Sequence, residues 1–113
     1  MKVLFVEDDL FVREMAVAGL EDAGYEVIEA GNGGDALRLL QIGITLGALL
    51  TDIRLPGATG CEVAKAYRER FPELPVLYVT GYAEHMQPVP GGIILSKPHR
   101  MAQEIGVLAT WAA

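Results

Sequence analysis

Three stretches, "KVLFV" (2–6), "GALLTD" (47–52) and "LPVLYVTG" (74–81), are apolar at successive positions rather than at alternate ones. Runs this short are strand-length, and a strand with no polar alternation is buried on both faces, the habit of a parallel sheet. "YEVIEA" (25–30) and "GGIILSK" (91–97) add a second and a fifth strand in chain order. Segments with helical spacing lie between them. Asp9 is placed to cap a helix with Val12, Met15, Ala16, Gly19, Leu20 and Ala23 inward, stopped at Gly24. "GNGG" (31–34) reads as a turn, and Asp35 starts a second helix around Ala36, Leu37 and Leu40. A third runs from Gly60 to Phe71 with Val63, Ala64, Tyr67 and Phe71 inward, closed by Pro72. A last helix runs from Pro98 to Trp111, burying Met101, Ile105, Leu108 and Ala112.

Strands alternating with helices build βαβ units, with right-handed crossovers and helices on both sheet faces. The expected fold is therefore α/β, a doubly wound, flavodoxin-like sheet of five parallel strands. The strand order 2-1-3-4-5 is taken from the common doubly wound patterns rather than derived from these residues. With 113 residues, 51% of them hydrophobic, the chain suits one globular domain, 1–113. A net charge of −6 argues against binding nucleic acid, which needs a basic footprint. The single cysteine, Cys61, rules out an internal disulfide framework, and a reducing cytoplasm fits. The opening "MKVLFVEDD" is too briefly apolar for a signal peptide, and no stretch is long enough to span a membrane.

In such sheets ligands sit beyond the carboxyl ends of the strands. There the sequence places Glu7, Asp8 and Asp9 after the first strand, Asp52 at the end of the third, Thr80 after the fourth and Lys97 after the fifth. Neighbouring first and third strands bring Glu7, Asp8 and Asp52 together. Crowded carboxylates repel, and a hard divalent cation relieves the repulsion. Oxygen ligands with several retained waters suit Mg²⁺. A Thr80 hydroxyl, a Lys97 ammonium and the metal can together hold the three oxygens of a phosphoryl group on Asp52.

"VEDD", "TDIRLPGATG", "VLYVTGYA" and "LSKP" together resemble the receiver domain of two-component response regulators, in order and over nearly the whole chain. The resemblance implies that Asp52 takes a phosphoryl group from a kinase phosphohistidine. Glu7, through water, and Asp8 are implied as Mg²⁺ ligands beside Asp52, with the main-chain carbonyl of Arg54 as a further ligand. Thr80 becomes the switch hydroxyl, Lys97 the partner of the phosphoryl oxygens, and the Lys97–Pro98 bond is expected to be cis. Pro56 and Gly60 match the loop after the phosphoacceptor. The implied partners are a histidine kinase or histidine phosphotransfer protein upstream and a protein target downstream. No output domain is expected, so the chain acts through a partner or is the receiver portion of a hybrid kinase. It is not expected to be a turnover enzyme, only to catalyse its own aspartyl phosphorylation and dephosphorylation.

Two departures stand out. The connection from Gly81 to Gly92 contains Pro88 and Pro90, so the usual fourth helix is expected to be short or missing. Ile94 stands where receivers carry a switch aromatic three residues before the lysine; Tyr82 is a weak substitute. These leave room for a degenerate receiver that docks without phosphorylation. An aspartyl phosphatase is disfavoured, because Arg54 occupies the place of the second aspartate such enzymes use as general acid. Cys61 reads as packing, Trp111 as a cover for the core, and His85 and His99 as surface residues.

Overall fold

The structure, a computed structural model, describes residues 1–80, 88–96 and 101–111, with Thr80, Ser96 and Met101 described through their backbone only. Five strands, β1 (Lys2–Val6), β2 (Glu26–Ala30), β3 (Ala48–Asp52), β4 (Val76–Thr80) and β5 (Ile93–Ser96), form one sheet of order β2-β1-β3-β4-β5. Every pairing is parallel. Four helices accompany it: α1 (Leu10–Asp22), α2 (Gly33–Gln41), α3 (Gly60–Arg70) and α4 (Met101–Trp111). This is the expected doubly wound architecture. From β1 the chain goes to one side for β2 and returns to the other for β3, which opens a crevice beyond their carboxyl ends.

The unbroken apolar runs explain the two cores. Side chains alternate across a strand, so each run feeds both faces. Val3, Phe5, Ala48, Leu50, Leu77 and Val79 pack with Ala16, Val17 and Leu20 of α1 and Leu108 of α4. Leu4, Val6, Leu49, Val76 and Tyr78 pack on the opposite face with Ala36 of α2 and Val63, Ala64 and Tyr67 of α3. Cys61 joins the second cluster and Trp111 covers the first, both half-buried, as the sequence predicts.

Two helices differ from expectation. In α1 the buried stripe is Ala16, Val17 and Leu20, while Val12 is 42% and Met15 63% exposed. The apolar spacing misses the polar residue that completes the stripe. Arg13, Ala16, Val17 and Leu20 share one helical face, and Arg13 turns toward β2, which rolls Val12 and Met15 outward. The helix ends as predicted, with Gly24 at φ +97°, a conformation that disfavours any residue bearing a Cβ. In α2 the "GNGG" stretch is not a separate turn. Asn32 caps the helix through its side-chain oxygen, which accepts the Asp35 N–H at 2.7 Å, and Gly33 and Gly34 form the first turn. Glycine is a poor helix former, but a Cβ on Gly33 would lie 2.0 Å from the Ala58 carbonyl oxygen. Close approach to the loop after β3 therefore outweighs propensity.

Between β4 and β5 no helix occurs in the described residues 88–92. The returning chain covers the sheet instead. Val89 is buried in the α3-side core, and its N–H donates to the Tyr78 hydroxyl at 3.1 Å. Arg68 of α3 donates to the carbonyls of Leu74 and of Pro90. Residues 81–87, 97–100 and 112–113 lie outside the description, and with them Tyr82, His85, Lys97, Pro98, His99, Ala112 and the side chain of Met101.

Tyr67 is fully buried, and its hydroxyl donates to the Ala36 carbonyl at 2.7 Å, tying α3 to α2. Burial pushes its pKa up to about 12. In Tyr67→Phe the lost hydrogen bond is expected to cost about 1 kcal/mol in urea unfolding at neutral pH. The unfolded tyrosine ionises near pH 10, below the folded value, so this residue's contribution falls as pH rises from 10 through 12. The gap between wild type and Tyr67→Phe should therefore narrow as the pH rises from 10 toward 12; a constant gap would contradict the buried phenol.

Candidate functional site

Val6 pairs with Thr51 across the β1–β3 seam, so Glu7 and Asp52 follow side by side into the crevice. The Glu7 N–H donates to the Ala30 carbonyl at 3.1 Å, extending the β1–β2 ladder by one residue before the chain turns. Glu7 is buried, and its Oε2 accepts the Asp9 N–H at 3.1 Å. Asp9 caps α1 as predicted, its Oδ1 accepting the Val12 N–H at 3.0 Å. These bonds fold residues 7–9 into a tight turn that leaves Asp8 exposed.

Asp52 is the last residue of β3 and half-buried. Its backbone is fixed from behind. The Thr51 hydroxyl donates to the Asp52 carbonyl at 2.8 Å, and the Gly60 N–H donates to the Ile53 carbonyl at 2.8 Å. A Cβ on Gly60 would stand 2.0 Å from the Asp52 carbonyl oxygen, so α3 starts directly against the end of β3. The Gly33 N–H of α2 donates to the Pro56 carbonyl at 3.2 Å. The loop after β3 is thus held between two helix starts, each of which needs a glycine. Thr59 and Glu62 close the start of α3 with a reciprocal capping box. Asp52 Oδ1 accepts the Arg54 N–H at 3.3 Å, aiming the carboxylate along the loop.

One carboxylate oxygen each from Glu7, Asp8 and Asp52 lies within 4.8 Å of the other two. Two oxygens on opposite sides of one Mg²⁺ are about 4.2 Å apart at bonding distance, so small side-chain movements bring this set onto a small hard dication. The donors are all hard oxygens, which suits Mg²⁺ and not a thiophilic metal. The three acids read from the sequence are therefore brought together. Thr80 ends β4, its backbone opposite Ser96 of β5, and Val79 before it pairs with Asp52. Arg54 is exposed on the loop beside Asp52. Lys97 lies outside the described residues.

Sequence reasoning missed Arg13 and Gly33. Arg13 donates from Nη1 to the Glu7 carbonyl at 2.8 Å and from Nε to Glu29 Oε1 at 3.3 Å. Its signal was the i, i+3, i+4, i+7 stripe it shares with Ala16, Val17 and Leu20, visible only if a polar residue is admitted to a buried face.

A parallel α/β sheet with three acids gathered at its switch point defines a class of protein: a doubly wound fold built around an acidic pocket. Comparison narrows the class. The sequence model described as "Response regulator receiver domain" matches residues 3–91, and the chain belongs to that family. It is 39% identical over 82 residues to the response regulator receiver protein CpdR of Brucella abortus, covering 73% of this chain and 68% of CpdR. It is 34% identical over 83 residues to the sensor kinase CckA of the same species, covering 73% of this chain but only 9% of the kinase. Other longer relatives are spanned to 38% and 22% of their length. Among solved structures, a response regulator receiver protein from Sinorhizobium medicae superposes with a TM-score of 0.92 at 30% identity, covering 98% of this chain and 93% of that one. The receiver domain of the hybrid histidine kinase CckA superposes with a TM-score of 0.87 at 30% identity, covering 100% of both chains. The chain is accordingly a signalling module of two-component phosphorelays.

The glycine contacts make a paired test. Gly60→Ala puts a methyl against the Asp52 carbonyl and is expected to cost at least about 1–3 kcal/mol in thermal unfolding. Gly106→Ala on α4 meets nothing within 4 Å and should stabilise by about 0.5–1 kcal/mol. Equal effects from the two would contradict the close approach at Gly60.

Proposed function

We propose that this receiver takes a phosphoryl group from a phosphohistidine onto Asp52, with Mg²⁺ held by Glu7, Asp8, Asp52 and the Arg54 carbonyl. The observation that carries the proposal is the convergence of three carboxylates to within 4.8 Å at the crevice between β1 and β3. Mg²⁺ there supplies charge neutralisation for the incoming phosphoryl oxygens. An Asp52 carboxylate oxygen attacks phosphorus. An O–P bond forms as the P–N bond breaks, and the bonding pair leaves with the imidazole nitrogen. The fixed main chain around Asp52 supports a nucleophile held in line, and phosphoryl transfer is mostly a matter of positioning and electrostatics. Thr80, at the end of β4, and Lys97, just past β5, are assigned the remaining phosphoryl oxygens by the family motif.

The chain then serves as a single receiver unit, 1–113, between a histidine kinase or phosphotransfer protein and a downstream protein target. It catalyses its own phosphorylation and hydrolysis without turning over a separate substrate. The full-length superposition on the CckA receiver supports a place within a hybrid kinase as a second arrangement. No helix among the described residues is long and apolar enough to cross a membrane, which agrees with a cytoplasmic setting.

Incubation with MgCl₂ and a small phosphodonor such as phosphoramidate, followed by intact mass measurement, tests the proposal. Wild type should gain one phosphoryl group, and both chelation of Mg²⁺ and Asp52→Asn should abolish the gain. An unmodified wild type, or an equal gain in Asp52→Asn, would overturn it and favour phosphorylation-independent docking.

A further inference from the structure

Arg13 joins the acid-bearing turn to a second strand. Its Nη1 donates to the Glu7 carbonyl at 2.8 Å, while its Nε pairs with Glu29 Oε1 on β2 at 3.3 Å. The side chain is only 17% exposed. Room for it comes from Gly31, where a Cβ would lie 2.9 Å from Nη1. Its own N–H donates to the Asp9 carbonyl at 2.9 Å, so backbone and side chain grip both ends of the Glu7–Asp9 turn.

The peptide between Glu7 and Asp8 sets the direction in which both side chains leave the chain. A guanidinium anchored on Glu29 and donating one charged hydrogen bond to the carbonyl of that peptide holds it more stiffly than a neutral bond would. We propose that Arg13 is a positioning residue for the acidic pocket: by locking the Glu7–Asp8 peptide against β2, it holds the two carboxylates toward Asp52 and sets the affinity for Mg²⁺. The inference rests on the cation site proposed above. It also has an unusual sign. By Coulomb's law alone, a guanidinium near a cation site weakens Mg²⁺ binding, and its removal should tighten it. A positioning role demands the reverse, since groups that orient metal ligands typically govern affinity by about 10–100-fold.

Calorimetric titration of the full chain with MgCl₂ separates these outcomes, alongside a thermal melt of each variant without metal. Wild type should bind. Arg13→Gln should bind about tenfold more weakly. Gly31→Ala, which keeps the charge but pushes the guanidinium aside, should also weaken binding. Arg13→Lys should restore only part of the affinity, because an ammonium cannot span both partners in the fixed geometry of the fork. Undiminished or tighter binding in Arg13→Gln, with only a lower melting temperature, would overturn the inference and leave Arg13 a structural residue. If Arg13→Gln does not fold, unchanged affinity in Gly31→Ala overturns it instead. A wild type that takes up no Mg²⁺ would remove the cation site, and this inference with it.

Discussion

Mutual repulsion among three carboxylates is the constraint around which this molecule is arranged. Left to solvent, Glu7, Asp8 and Asp52 would separate. They stay within 4.8 Å because the backbone carrying them has nowhere else to go. β1 and β3 are adjacent and buried on both faces, so their ends are fixed to each other by the whole core. The Ala30 carbonyl, the Arg13 guanidinium and the Asp9 cap fold the turn after β1, and Thr51 and Gly60 fix the exit from β3. The hydrophobic effect supplies the work of bringing the acids together; the local hydrogen bonds only aim them. A protein arranged in this way presents three hard oxygen donors from a fixed backbone.

Much of this was legible in the sequence, because the decisive signals were local and strong. Uninterrupted apolar runs specify buried parallel strands, and a polar residue at the end of each marks the rim where chemistry takes place. β1 falls on the expected residues, and Asp52 closes β3 as expected. The misreadings share a cause: each depended on a partner far away in the chain. Gly33 and Gly34 look like turn residues until the Ala58 carbonyl is seen against the helix start. Val12 and Met15 look like core until Arg13 is seen to occupy the inward face in their place. Periodicity counts apolar residues, and a half-buried arginine bound to a carbonyl and a carboxylate is invisible to it.

The β4–β5 connection shows a different economy. Prolines at 88 and 90 argue against a helix there, and residues 88–92 carry none. The sheet face is nevertheless covered, with Val89 entering the α3-side core. Two side chains from elements already in place secure it, Tyr78 from β4 and Arg68 from α3. Since α3 also abuts Asp52 through Gly60, one helix touches both the rim of the acidic pocket and the returning chain.

The way that chain is fastened has a bearing on how such proteins diversify. Tyr78 binds the N–H of Val89, and Arg68 binds the carbonyls of Pro90 and Leu74; every one of these recipients is a main-chain atom. Carbonyls belong to all twenty amino acids and peptide N–H groups to all but proline, so the attachment is nearly blind to the side chains it holds. Among the described residues of the connection, positions such as Pro88 can therefore change side chain without touching these bonds, whereas Val89 in the core, Gly91 at φ +76° and the mooring tyrosine and arginine cannot.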